Sequence, residues 1–265
     1  GSEICDKKRA MWRDLTKTQD LGDTFKVDWS EIERPDLLTS GQTCVDYSSS
    51  GPRTGEDGTT GWMFTAQVDP ILTLQPKAFV LEMVANAVNI HRGREVDKVV
   101  SRLSEAYHVQ TKVCKTASFG DGSNRTRLFI IGFHKELSDV VRSYTFPESD
   151  KADSISLRAY AEPDARVPES YWRYHDPEAL TSFHNPLIPG KLHKIAQRNK
   201  GMGHSSNPNA IYSWDSIANC QTTHNGGGQR PALSWKRGQP IDTTRLMLPI
   251  EAVRVASLHQ SYLEW

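Results

Sequence analysis

"AFVLEMV", Ala78 to Val84, decides the fold. It is apolar except for one acid, and it is short, so it reads as a strand rather than a helix. Two further runs share its character: "DLLTS" (Asp36 to Ser40) and "RLFIIGF" (Arg127 to Phe133). Near-continuous apolar runs bounded by polar or turn residues are the mark of buried parallel strands. Between them the period changes. Val96, Val99, Val100 and Leu103 follow helical i, i+3, i+4, i+7 spacing. An earlier helix is predicted over Trp62 to Leu74, kinked or divided at Pro70. Strands alternating with helices imply crossover units and a doubly wound α/β sheet. Active groups in such sheets gather at the carboxyl ends of strands. Cys44 follows the first run, and Glu82 lies near the end of the second.

The chain has 265 residues, 37% hydrophobic and 24% charged, enough for one large domain or two modest ones. Lys+Arg and Asp+Glu both number 32, so net charge argues neither for nor against a nucleic-acid partner. No apolar run approaches the roughly 20 residues of a membrane helix. The four cysteines, Cys5, Cys44, Cys114 and Cys220, form no C-x-x-C, so neither a zinc site nor a disulfide framework is expected. From about residue 145 the texture shifts to Pro, Asn, Gly, His and aromatics, as in "PESYWRYHDPE" and "THNGGGQRP". This predicts a smaller, loop-rich domain with short strands. Helical spacing returns in "TRLMLPIEAVRVASLHQSYLEW", where Pro249 suits a first helical turn. The domains are therefore set at 1–138, 139–242, and a closing helical segment over 243–265.

Alone, Cys44 in "GQTCVDYSSSG" reads either as a small buried hydrophobe before a turn or as a nucleophile. Glu82 in an apolar strand needs a reason, because Glu is almost never buried unpaired. Arg125 and Arg127 in "GDGSNRTRLFIIGF" alternate along the start of a strand, and "NGGG" (Asn225 to Gly228) comes later. In this order and spacing the chain resembles the DNA cytosine-5 methyltransferases over nearly its whole length. The family's Pro-Cys-Gln stands here as Thr43-Cys44-Val45. Its Glu-Asn-Val stands as Glu82-Met83-Val84, and its Gln-x-Arg-x-Arg as Ser123-Asn124-Arg125-Thr126-Arg127.

The resemblance implies an S-adenosylmethionine-dependent, Rossmann-like methyltransferase sheet with a target-recognition domain. It implies Cys44 as the nucleophile, Glu82 as the partner of cytosine N3, Arg127 on O2, and Arg125 in support. A thiolate adding at C6 turns a ring that is a poor nucleophile at C5 into an enamine. The base must first leave the duplex. The segment Ser48 to Gly61 then corresponds to the loop that closes over it, with Ser48, Ser50 and Arg53 as phosphate contacts. Thr223, Asn225, Gly226, Gly227 and Gly228 would approach double-stranded DNA. On the cofactor side, "SEICDKKRAMW" places Glu3 on the ribose and Ile4 beside the adenine of S-adenosylmethionine. "LGDTF" places Asp23 and Thr24 near the adenine amino group, and Met63 packs against the cofactor, whose product is S-adenosylhomocysteine. Glu251 and Arg254 match a structural Pro-x-Glu-x-x-Arg motif.

The family's Phe-x-Gly-x-Gly and Gly-Asn-x-Val motifs do not occur in the sequence, so a second polypeptide or a longer chain is expected to supply them. Thr43, Met83 and Ser123 replace a proline, an asparagine and a glutamine. Two other readings stand beside this one: a DNA-binding regulatory subunit with a degenerate methyltransferase fold, and an RNA cytosine-5 methyltransferase. The expected setting is the nucleus if the source is eukaryotic, or the cytoplasm if it is bacterial or viral.

Overall fold

The computed structural model describes residues 1–42, 45–48, 51–141, 144–149, 155–174, 180–182, 194–198, 210–213, 218–219, 232–234, 243–248 and 251. Cys44, Ser50, Thr223 and Asn225 to Gly228 lie outside the described residues, as do Thr43, Cys220, Pro249 and Arg254. Two compact units make up the chain, one of residues 1–112 and 128–145, the other of 113–127 and 146–264.

The first unit opens with helix α1 (Asp6–Thr16), followed by strand β1 (Leu37–Gly41). The helical run expected over Trp62 to Leu74 is two helices, α2 (Trp62–Ala66) and α3 (Val68–Leu74). They divide at Gln67 rather than at Pro70. Pro70 sits in the first turn of α3, where its missing N–H has no intrahelical partner to lose. β2 (Ala78–Val84) and α4 (Arg94–Leu103) follow. Next come β3 (Tyr107–Lys115), β5 (Thr126–His134) and the short α5 (Ser138–Val141), while the two-residue β4 (Ser123–Asn124), between β3 and β5 in the chain, belongs to the second unit.

The main sheet has the order β1-β2-β5-β3. β1 and β2 are parallel, with Leu37 opposite Ala78 and Gly41 opposite Glu82. β5 departs from the parallel expectation. The His134 amide donates to the Lys77 carbonyl at the start of β2 (2.8 Å), and the Lys135 amide donates to Ala106 just before β3 (3.0 Å). The end of β5 thus lies beside the beginnings of both neighbours, so it runs opposite to them. β1 is also not fully buried, because it is an edge strand whose residues alternate between exposed and half-buried.

One face of the sheet carries the core. Phe79, Leu81 and Met83 of β2 project into it with Ile130 of β5, Val99 and Leu103 of α4, and Phe64 of α2. Each such side chain, once buried, contributes about 1.5–3 kcal/mol. Tyr107 meets Phe79 edge-on at 5.0 Å and donates its hydroxyl to the Pro76 carbonyl at 3.0 Å; burial pushes its phenol up to about 12. Among the described residues, no helix is long and apolar enough to cross a membrane.

Among the described residues, the second unit holds a sheet of six short strands: β6 (Trp172–Tyr174), β7 (Leu180–Ser182), β8 (Lys194–Arg198), β9 (Ala210–Ser213), β11 (Ala232–Ser234) and β12 (Thr243–Leu246). Their order is β6-β12-β11-β9-β8-β7, and β10 (Ala218–Asn219) pairs in parallel with β4. Thr243–Leu246, expected at the head of the closing helix, is instead a strand between β11 and β6. Glu251, fully buried, accepts the amides of Glu162 and Leu248 at 2.7 Å each, which suits the structural role expected of it.

Gly132 on β5 leaves no room for a side chain, since a Cβ there would stand 2.1 Å from the buried Phe79 ring. Gly132→Ala is expected to destabilise the fold by about 1–3 kcal/mol. Urea unfolding followed by circular dichroism checks this as a lowered midpoint at unchanged slope.

Candidate active site

β1 ends at Gly41, and the parallel register sets Glu82 directly across from it. On β2 the buried face belongs to Phe79, Leu81 and Met83, so half-buried Glu82 projects from the other side. Its carboxylate leans toward β1: Oε2 lies 3.4 Å from the point a Cβ on Gly41 would occupy. Three residues past Gly41 the sequence reaches Cys44. Met83, where the family resemblance expects an amide, points into the core, so an apolar residue suits this position here.

Cys44 itself is outside the described residues, but the turn that follows it is firmly held. Val45–Tyr47 forms a single 3-10 turn with Asp46 and Tyr47 buried. The Tyr47 ring lies edge-on to Phe64 at 5.5 Å, and its hydroxyl donates to the Gly61 carbonyl at 3.3 Å. Burial, then the charge of Glu95, raises the Tyr47 phenol above its ordinary range. From the loop after β2, Asn86 Nδ2 donates to the Tyr47 carbonyl at 3.0 Å.

Asp46 is a functional candidate that the sequence reading missed. It is only 3% exposed. Its Oδ1 accepts the Thr54 hydroxyl at 2.9 Å, and its Oδ2 accepts the Thr60 amide at 2.8 Å and the Thr60 hydroxyl at 2.7 Å. The Thr60 hydroxyl and then its amide hold the carboxyl below the usual carboxylate range, against the opposing effect of burial. Glu56 fixes the same loop a second time, accepting Thr65 and Lys98 at 2.7 Å each. The segment expected to close over a base is therefore pinned along its second part. Of the expected phosphate contacts, Ser48 donates its amide to Val45, and Arg53 adopts a left-handed backbone (φ 60°).

Of the residues expected on the cofactor side, Glu3 and Thr24 are tied together near the N-terminus. The Glu3 amide donates to the Gly22 carbonyl (2.8 Å), and the Ser2 and Thr24 hydroxyls are 2.6 Å apart. Glu3 Oε1 accepts the Cys5 amide, and Asp23 Oδ1 accepts the Phe25 amide, so each acid also caps the turn it begins. Ile4 is 71% exposed. Phe25 and Trp62 pack at a tilt of 50° with ring centroids 4.6 Å apart, and Trp62 remains 42% exposed. An exposed aromatic pair, an exposed Ile and two carboxylates suit a purine nucleoside: apolar faces for the ring, acids for hydroxyl and amino groups. Met63, the residue singled out from sequence, is half-buried beside Trp62. The signal that could have found Trp62 and Phe25 is that both are large aromatics in polar surroundings.

Arg125 and Arg127 belong to the second unit. Along β5 the buried positions are Leu128, Ile130 and Gly132, which puts Arg127 on the opposite face of the strand. Arg127 Nη1 donates to the Thr126 carbonyl at 2.8 Å. The Arg125 carbonyl accepts the Thr116 amide (2.8 Å) and hydroxyl (3.1 Å). Where the resemblance expects a glutamine, Ser123 donates to Asp121 Oδ2 at 2.8 Å, and its carbonyl accepts from Thr116 Oγ1 at 3.0 Å. These contacts tie the turn that leads into both arginines.

Residues 2–263 match the C-5 cytosine-specific DNA methylase family. Type II methyltransferase M.HpaII of Haemophilus parainfluenzae is 29% identical over 246 residues, 87% of this chain and 64% of that protein. Type II methyltransferase M.NgoBV of Neisseria gonorrhoeae is 30% identical over 248 residues, 85% of this chain and 54% of that protein. The chain thus spans between half and two thirds of these relatives. Among solved structures, the S. pombe Dnmt2 methyltransferase superposes with a TM-score of 0.58 at 15% identity, covering 100% of this chain and 79% of that one. The Entamoeba histolytica methyltransferase EhMeth gives 0.59 at 13%, covering 98% and 78%. At these identities the structural likeness speaks to the fold alone.

The Asp46 contacts set a pH dependence. A carboxyl depressed on folding adds stability that is present above its unfolded pKa, about 3.9, and is lost as pH falls through the lower folded value. The difference in urea midpoint between wild type and Asp46→Asn is expected to be constant from neutral pH down to about 5, and to shrink steadily below about pH 4.

Proposed function

The chain belongs to the C-5 cytosine-specific DNA methylase family, and we propose that it transfers a methyl group from S-adenosylmethionine to C5 of a cytosine in double-stranded DNA. The observation that carries this reading is the register of β1 and β2. It sets the Glu82 carboxylate across from Gly41, at the strand end that continues into Cys44.

In this reading the cytosine is flipped out of the duplex to that strand end, beside Glu82. Glu82, carrying a proton, donates to ring N3, where negative charge develops as C6 is attacked. The Cys44 thiolate forms a bond to C6, and the C5–C6 π pair becomes an enamine. C5 then bonds the methyl carbon as the donor sulfonium takes the electron pair of the breaking S–CH₃ bond. Loss of the C5 proton to a base and expulsion of the thiolate restore the aromatic ring and the enzyme. Arg127 holds O2 in the ring plane, and Arg125 supports it through the turn tied by Thr116. Glu3, Ile4, Asp23, Thr24, Phe25, Trp62 and Met63 bind the adenosine part of the cofactor and release S-adenosylhomocysteine. Ser48, Ser50 and Arg53 contact phosphate. The second unit, including Thr223 and Asn225 to Gly228, reads the target. The Phe-x-Gly-x-Gly and Gly-Asn-x-Val segments come, in this reading, from a further stretch of chain or a second polypeptide. With relatives from bacteria and bacteriophages, the proposed setting is the cytoplasm.

The test is capture on a duplex carrying 5-fluorocytosine, with S-adenosylmethionine present and the two further segments supplied. Fluorine cannot leave as a cation, so the Cys44–C6 bond persists. An adduct that survives denaturation is expected. Cys44→Ser abolishes it, and Glu82→Gln slows its formation about a hundredfold or more. No adduct with wild type, or labelling of transfer RNA in preference to duplex DNA, contradicts the proposal.

A further inference from the structure

Two segments that the proposed chemistry must hold in register meet at one carboxylate. The first is the Val45–Tyr47 turn, which continues directly from Cys44. The second is Thr59–Thr60 at the head of α2. The Thr60 carbonyl accepts the Met63 amide (3.1 Å), and the Thr59 carbonyl accepts the Trp62 indole N–H (3.2 Å). Trp62 in turn packs against Phe25, beside Asp23 and Thr24. Asp46 lies in the first segment and accepts both the amide and the hydroxyl of Thr60 in the second. The backbone at Gly58 is pressed so close that a Cβ there would stand 2.2 Å from Asp46 Cγ.

We infer that Asp46 is a positioning residue for methyl transfer, locking the turn that follows Cys44 in the chain to the helix that begins with Trp62. This inference rests on the proposed function. Asp46 touches neither base nor cofactor. It acts by fixing the spacing between the two sides of the site, and a small error in that spacing is costly to a reaction that needs near-attack geometry. A carboxylate suits the task because its oxygens only accept, and here both face donors. Asparagine has the same shape but no charge: with its N–H₂ group turned to the Thr54 hydroxyl, the Thr60 amide and hydroxyl are left sharing one neutral acceptor, a weaker hold than a carboxylate gives. Alanine at Gly58 would push the carboxylate out of place.

Two measurements test it. The first needs no activity: amide hydrogen exchange of the protein alone, compared between wild type, Asp46→Asn and Thr60→Val. Exchange is expected to speed up at least about tenfold in both the 45–48 and the 59–64 peptides of Asp46→Asn, with β2 unchanged. Thr60→Val keeps the amide donor and loses only the hydroxyl, so it gives the same pattern at smaller size, and the result does not hang on how well Asp46→Asn folds. A change confined to one of the two peptides overturns the coupling. The second measurement is the rate and amplitude of 5-fluorocytosine capture over a range of S-adenosylmethionine concentrations up to saturation. A positioning residue predicts full amplitude, a rate at least about tenfold lower, and a KM for the cofactor within about twofold. Reduced amplitude at an unchanged rate marks a merely structural role and overturns the inference. If wild type captures no DNA while the exchange pattern holds, it is the methyl-transfer reading that fails, and the link between the two segments stands.

Discussion

The parallel pairing of β1 with β2 is the constraint on which the rest depends. It is a backbone interaction, indifferent to most of the side chains it carries, yet its register decides which side chains meet. A slip of one residue would turn Glu82 to the other face and bring Met83 out of the core. As built, the apolar side of β2 is satisfied by Phe79, Leu81 and Met83. The one acid of the strand is delivered across from Gly41, at the end of β1. Core packing and site geometry are therefore two consequences of a single alignment. That is why a carboxylate can be tolerated in an otherwise apolar strand.

Around this alignment the chain fixes its polar segments with charge-assisted hydrogen bonds. Asp46 and Glu56 accept from Thr54, Thr60, Thr65 and Lys98, and so convert much of a Ser/Gly-rich loop into ordered structure. Tyr47 adds an apolar anchor on the same short turn, with Asn86 holding its carbonyl. In the second unit Thr116 and Ser123 do comparable work before Arg125 and Arg127. Each case places an acceptor or a small hydroxyl where two backbone segments must stay together. Ser123 shows that a residue differing from the family pattern can still serve the turn it occupies.

How much of this was legible in the sequence varied with the kind of signal. β2 was read to its exact bounds because apolar residues fill it from end to end, and α4 because Val96, Val99 and Leu103 repeat at helical spacing and are buried. β3 was not announced, since Tyr107–Lys115 mixes polar with apolar residues and is largely half-exposed. The direction of β5 was misread because an apolar run does not record which way its neighbours point. The division falls at Gln67 and not at Pro70 because a first-turn proline costs a helix little, so the proline marks a helix start as readily as a break. In the site, Glu82 was legible as an acid where none is expected. Asp46 was not, because its partners Thr54 and Thr60 lie well along the chain and only the folded loop brings them to it. Phe25 and Trp62 become partners only through the same folding.

The account stands or falls on which atom of the protein bonds the base. Mass spectrometry of the protein–DNA adduct, after digestion, measures this directly. The cross-linked cytosine is predicted on the peptide containing Cys44 and on none that contains Cys5, Cys114 or Cys220. A cross-link at any other residue would contradict the placement of the site at the end of β1.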